Sequence, residues 1–149
     1  MNVTIRKASE GDVSAIEGIV YEAYKHYIPR IGKQPSPMTD DYHRQVASGN
    51  IWVLLLDSEL VGVVVLIHEG ESMLLDNVAV RPTKQHLGLG RRLIAFAEAR
   101  ARESGCREVR LYTNEVMYEN LVLYRKLGYQ EISRRHESGF NRVFMRKAL

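Results

Sequence analysis

Two glycines one residue apart, Gly88 and Gly90, stand directly before Arg91 and Arg92, at the head of a stretch with helical apolar spacing. Residues of these types in this order suit an anion. The first N–H groups of a helix have no carbonyl partner and carry the positive end of its dipole. A residue without Cβ lets a phosphate approach them closely, and neighbouring arginines add mobile positive charge. The spacing therefore predicts a phosphate or pyrophosphate at this turn. Two nucleotide-binding patterns are excluded. A P-loop needs Lys-Ser/Thr after its last glycine, where Arg91-Arg92 stand, and a dinucleotide fingerprint needs a third glycine at Leu93. A helix start that simply needs a tight turn fits Gly88-Leu89-Gly90 as well.

Other residue types offer less. His26, His43, His68, His86 and His136 are scattered, with no His-Glu-x-x-His and no i, i+4 pair, so no metal site is expected. There is no Gly-x-Ser-x-Gly elbow for a serine hydrolase. Cys106 is the single cysteine, which forbids an internal disulfide and reads as an inert buried thiol. Asp76 lies inside an apolar run, where an acid needs a reason to be.

The elements that position these residues follow from periodicity and breakers. Val3–Lys7 predicts a strand, and the spacing of Val13, Ile16, Ile19, Val20 and Ala23 predicts a helix ending near His26. Tyr27–Pro37, with three prolines and a glycine, reads as an extended loop, after which Thr39 would cap a second helix to Ala47. Ile51–Leu56 and Leu60–Ile67 form a hairpin, and Met73–Arg81 a third strand. Gly88–Glu103 is the strongest helix, followed by a strand at Glu108–Thr113 and a helix at Met117–Leu127. A final hairpin covers Tyr129–Ser138 and Phe140–Lys147. The order β-α-α-β-β-β-α-β-α-β-β describes an α/β chain with a mixed sheet, antiparallel first and with a β-α-β crossover in its second half.

With 149 residues, 45% of them apolar, the chain is expected to form one domain over 1–149 with a real core, and disorder is excluded. The longest apolar run, Leu60–Ile67, falls short of the about 20 residues a membrane helix needs. The first residues lack a secretory pattern, so a cytoplasmic protein with no membrane role is expected. Twenty-one basic against 18 acidic residues leave a formal charge of +3. The basic residues are dispersed (Arg91-Arg92, Arg134-Arg135, Arg142, Arg146-Lys147), so no nucleic-acid partner is expected, though an anionic small ligand would use the same surplus.

Two motifs together carry a resemblance. Gln85-His86-Leu87-Gly88-Leu89-Gly90 resembles the Gln/Arg-x-x-Gly-x-Gly/Ala signature of the GCN5-related N-acetyltransferases (GNAT), between a strand and a helix as in that family. Asn120–Tyr129 is similar to its second signature, an Asn-bearing helix ending Leu-Tyr-x-x-Leu-Gly-Tyr. The resemblance implies acetyl transfer from acetyl-CoA, without a metal, to a primary amine, most readily that of a small molecule. Protein N-termini or lysines, and a non-catalytic acyl-CoA sensor, are the alternatives. It also implies splayed central strands, with pantetheine pairing on the edge Val78, Ala79 and Val80 in the manner of an added strand. The pyrophosphate would lie on Gln85, His86, Leu87, Gly88, Leu89, Gly90 and Arg91, His86 replacing a frequent glycine. Asn120 would contact the cofactor, unless it merely faces solvent. Tyr124, one turn later, would protonate the leaving thiolate, or simply pack beside the sulfur. Asp76 would take the amine proton, or else orient substrate; Glu69 and Glu71 are weaker candidates. An N–H near Val78 or Ala79 would stabilise the negative oxygen. Tyr24, Tyr27 and Tyr42, with Asp40 or Asp41, would line an acceptor side suited to a cationic amine with an apolar body. Relatives often pair, so a homodimer is compatible.

Overall fold

The computed structural model describes Met1–Leu149. Its strands are β1 (Val3–Lys7), β2 (Ile51–Leu56), β3 (Glu59–Glu69), β4 (Ser72–Val80), β5 (Glu108–Asn114), β6 (Gln130–Glu137) and β7 (Phe140–Ala148). Its helices are α1 (Val13–Tyr24), α2 (Ile28–Ile31), α3 (Tyr42–Ala47), α4 (Leu89–Glu103) and α5 (Tyr118–Lys126). The seven strands run in the order β1-β2-β3-β4-β5-β7-β6, so the mixed α/β reading holds. β1, β2 and β3 pair antiparallel in sequence, while β4 and β5 are parallel. β7 lies antiparallel between β5 and β6.

Two expectations are corrected before β2. The proline-rich loop is not extended throughout: it holds α2 and a 3₁₀ turn at Ser36–Thr39. Pro29 and Pro37 occupy first-turn positions, where a missing N–H costs nothing and the fixed φ is already helical. The cap of α3 is Asp41, whose carboxylate accepts from the Arg44 N–H at 3.1 Å, not Thr39, whose hydroxyl donates to the Ser36 carbonyl. A third correction concerns the polar loop before α4. It is a 3₁₀ stretch, Pro82–Leu87, and Gly88 stands outside the helix with φ +76°.

The chain divides into two compact units, the boundaries falling within β3, β4 and α4. The first comprises 1–66 and 77–96, the second 67–76 and 97–149. In the first, Ile16, Ile19, Val53, Leu54, Val63, Leu89 and Leu93 are fully buried. The run Val61–Leu66 is buried at every residue, which is why it reads as continuously apolar rather than alternating. Gly62 lets elements come close here. A Cβ on it would stand 3.2 Å from Leu93 Cδ1, 3.3 Å from Leu54 Cβ and 3.5 Å from the Ala79 carbonyl oxygen. In the second unit Ala97, Ala101, Val109, Leu111, Val143 and Met145 form the core. Residues of β5 and β7 that alternate with these stay half-buried or exposed on the other face.

Candidate active site

The expected anion turn is built in the first unit. β4 ends at Val80, whose carbonyl accepts from Gln85 Nε2 at 3.1 Å. The Arg81 N–H donates to the Val61 carbonyl, and its side chain to the Leu60 carbonyl. Gln85 thus clamps the end of the strand to the turn. Gly88 then swings the chain into α4 at a φ that L side chains rarely adopt, and the first α4 hydrogen bond runs from the Arg92 N–H to the Gly88 carbonyl. The amides of Leu89, Gly90 and Arg91 precede that bond, as helix-start donors do. A Cβ placed on Gly90 would meet no atom within 4 Å. The turn therefore has donors, a dipole and an open space where a side chain would otherwise stand, and it fits a pyrophosphate. Arg91 and His86 are exposed beside it, Leu87 is half-buried, and the Leu89 side chain belongs to the core, leaving only its backbone to a ligand.

On β4 itself, Val78 is half-buried, while Ala79 and Val80 are buried. The parallel register of β4 with β5 covers Ser72–Leu75 against Glu108–Leu111, four of nine β4 residues, and β4 runs on to Val80 beyond it. The residue sequence reasoning passed over is Asn77, 5% exposed among apolar neighbours. Its Nδ2 donates to the Tyr42 hydroxyl at 3.0 Å, and the Tyr24 hydroxyl stands 2.8 Å from its Oδ1 and 3.0 Å from the Val78 carbonyl oxygen. Tyr42 in turn donates to the Pro37 carbonyl. One buried amide thus ties α1, α3 and the Ser36–Thr39 turn to β4 at Val78. Of the three tyrosines expected on the acceptor side, Tyr24 and Tyr42 are drawn into this network. Tyr27 is buried with its ring against His26 (3.9 Å between centroids) and Tyr24 (6.2 Å). Tyr42 also lines a recess with Glu17, Tyr21, Met38 and Asp40.

Replacing Asn77 by leucine keeps the branched shape and the number of side-chain heavy atoms and removes the amide. The loss expected is about 1–3 kcal/mol of unfolding free energy, the cost of leaving buried hydroxyls with poorer partners. Urea unfolding measures it, and unchanged stability would show that the network contributes nothing.

The second unit holds the other expected residues. Asp76 is half-buried at the first β4 position past the residues paired with β5, and the Tyr112 hydroxyl lies 3.4 Å from its Oδ1. Asn120 is half-buried on α5, with Nδ2 3.7 Å from Met117 Sδ. Tyr124, 7% exposed, follows one turn later. The Leu-Gly-Tyr after it is a helix terminator. Gly128 at φ +97° donates its N–H to the Arg125 carbonyl at 3.1 Å, and the Tyr129 N–H reaches the Tyr124 carbonyl at 3.0 Å. These are the paired bonds of a Schellman end, and its usual apolar contact is present as the edge-on Tyr124–Tyr129 ring pair, 5.8 Å apart. Tyr129 is anchored in turn. Its hydroxyl donates to buried Glu98 at 2.9 Å, and Lys147 donates to the same carboxylate at 3.0 Å. Burial, with Glu98 alongside, pushes the Tyr129 phenol well above its usual range. Burial likewise raises the Cys106 thiol, which disfavours the reactive thiolate. No group of three or more His, Cys, Asp or Glu is arranged to hold a metal ion, and no helix is long and apolar enough to cross a membrane.

Residues 47–131 match the family profile of the acetyltransferase (GNAT) domain. No curated protein sequence matches the chain. Among solved structures, the PaiA N-acetyltransferase of Thermoplasma acidophilum in complex with coenzyme A is similar over 100% of both chains, with a TM-score of 0.82 at 20% identity. The ribosomal-protein-S18-alanine N-acetyltransferase of Escherichia coli is similar over 99% of this chain and 94% of its own, with a TM-score of 0.76 at 19% identity. A GNAT family acetyltransferase of Elizabethkingia anophelis with acetyl-CoA bound is similar over 99% of both chains, with a TM-score of 0.76 at 18% identity.

Proposed function

Because the chain belongs to the GNAT family of acetyl-CoA-dependent N-acetyltransferases, we propose that residues 1–149 act as one catalytic domain acetylating a primary amine of a small molecule. The amine attacks directly in a ternary complex. Acetyl-CoA supplies the acetyl group as a thioester, a carbonyl already activated toward an amine. Every other task falls to side chains and amides of this chain.

The Leu89–Arg91 amides and the open space at Gly90 hold the pyrophosphate, with Arg91 and His86 beside it. This turn is the observation that carries the reading. The edge Val78–Val80 pairs with the pantetheine amides, and an N–H of Val78 or Ala79 donates to the carbonyl oxygen as charge builds on it. Asn120 contacts the cofactor, and Tyr124 gives a proton to the departing sulfur. Asp76 receives the proton that the amine loses, so the nucleophile is neutral at attack. Support for a small acceptor comes from the region 28–42. It is folded into short helical turns and held by the Tyr42–Pro37 bond, an ordered segment rather than an extended loop. A cytoplasmic setting suits a chain whose one cysteine is free and buried.

Thermal shift with acetyl-CoA and thiol release against a panel of amines test the proposal together. The expected result is a raised Tm and release with at least one small primary amine. No shift would overturn the cofactor site. A shift with no amine turned over would favour a sensor, and turnover only on peptides would favour a protein acetyltransferase. Asp76→Asn is expected to lower kcat/KM roughly 10²-fold or more and to flatten the acidic limb of its pH profile, since the group that must be ionised is gone. An unchanged profile would assign the proton to another acceptor.

A further inference from the structure

One sheet face of the second unit carries a group of residues that the acetyl-transfer chemistry above does not use. Register places them. Leu74 opposes Arg110 in the parallel pair, and just past the paired residues the Tyr112 hydroxyl stands 3.4 Å from Asp76 Oδ1. Tyr112 is the partner of Phe144, and Arg142 is the partner of Arg135. Two arginines therefore face each other directly across neighbouring antiparallel strands, an arrangement that costs stability unless something negative lies between or beside them.

Each guanidinium rests on an aromatic ring. Arg142 lies 4.4 Å from the Tyr112 ring centroid and Arg135 4.1 Å from that of Phe144, and the two rings are 5.6 Å apart. Stacking of this kind holds the planar fork in place and leaves its edge N–H groups to bind in plane, the geometry that suits a carboxylate or phosphate. Glu137 answers one of the two charges, accepting from Arg142 Nη1 at 2.9 Å. The other is unanswered: Arg135 is exposed and has no carboxylate within ion-pair distance. Arg110 and Arg146, on the same face, are satisfied by Glu108 and add no free charge. The aromatic shelf continues to the candidate base, because the Tyr112 ring that carries Arg142 also sends its hydroxyl toward Asp76.

We propose that Arg135 and Arg142 form a subsite for an anionic group, a carboxylate or a phosphate, carried by the acceptor amine. The inference rests on reading Asp76 as the proton acceptor, which puts the amine of the same molecule at the other end of the Tyr112 ring. It names the acceptor class as an amine that is also an acid, and it makes the two arginines specificity determinants rather than surface charge.

The test uses matched amines that differ only in the anionic group: phenylalanine against phenethylamine for the carboxylate, phosphoethanolamine against ethanolamine for the phosphate. Wild type is expected to favour the anionic member of at least one pair in kcat/KM, and the pair that shows it identifies the source of the charge. Arg135 is exposed and outside the core, so R135Q is expected to fold. It should lower the anionic-to-neutral ratio about tenfold, the loss of one charge-assisted contact, mainly through KM, and R135K should restore part of it. R107Q, which removes a charge elsewhere on the surface, should leave the ratio alone. Equal or better use of the neutral amines by wild type, or an R135Q ratio equal to that of wild type, would overturn the subsite while leaving acetyl transfer intact. Should no amine be turned over, binding of N-acetylphenylalanine against N-acetylphenethylamine in the presence of coenzyme A decides. Preferential binding of the acid, lost in R135Q, supports the subsite even though the catalytic reading fails, and absence of preference overturns both.

Discussion

Gly90→Asp is expected to fold at least as stably as the parent chain and to lose acetyl-CoA. The two effects have opposite signs because they arise in different states. In the free chain a Cβ at position 90 meets no atom within 4 Å, so the substitution creates no clash. It also replaces glycine in a helix by a residue with less freedom to lose, and sets an acid in the first turn, where the helix dipole favours it. In the complex the same carboxylate fills the space reserved for the pyrophosphate and sets like charge against it. Two unit charges about 4 Å apart at a protein surface repel by several kcal/mol, so the expected loss is roughly a hundredfold or more in affinity. Titration calorimetry with acetyl-CoA and a thermal melt of the free protein read the two halves separately. Affinity equal to that of the parent would move the pyrophosphate away from this turn. Gly88→Ala tests a different property. Its φ of +76° penalises any side chain, so there stability falls before binding is considered.

Tyr124→Phe is expected to lower kcat by roughly 10²-fold or more while acetyl-CoA binds as before. The ring is what packs: it stands edge-on to Tyr129 and closes the helix end, and phenylalanine keeps that contact. The hydroxyl is what the proposed role as proton donor requires. A variant that folds and binds but turns over slowly separates the proton donor from the packing residue. Retention of the parental kcat would leave Tyr124 with the second role alone.

The parts of this molecule legible in its sequence are those whose cause is local. Gly88, Gly90 and the arginines after them advertise a helix start because residue type alone determines backbone freedom and charge. Leu127-Gly128-Tyr129 marks the end of α5 for the same reason, and the final hairpin follows from two strand patterns adjacent in the chain. The prolines of 29–37 misled because their effect depends on position within a turn: in the first turn of a helix Pro29 and Pro37 are harmless, and composition does not reveal where a turn begins. Asn77 was hidden differently. A lone asparagine in the apolar run Leu74–Val80 was the available signal, yet its partners lie 35 and 53 residues away, and nothing in a local window announces them. Arg135 and Arg142 read as dispersed basic residues for a related reason. Their opposition exists only once the strands pair, and each is supported by a ring from another strand, Arg135 by Phe144 of β7 and Arg142 by Tyr112 of β5.

The hydrogen atom that stands in for a side chain at position 62 has a reach beyond its own strand. It leaves room for the Leu93 methyl from α4 and for Leu54 Cβ, which a Cβ at this position would meet at 3.2 Å and 3.3 Å. A methyl group there would act as a shim, pressing on a side chain of the helix that carries the Gly88–Arg91 turn at its amino end. Gly62→Ala is therefore expected to weaken acetyl-CoA binding through the placement of that turn, read by titration calorimetry beside a thermal melt, and unchanged affinity would make position 62 a matter of packing alone.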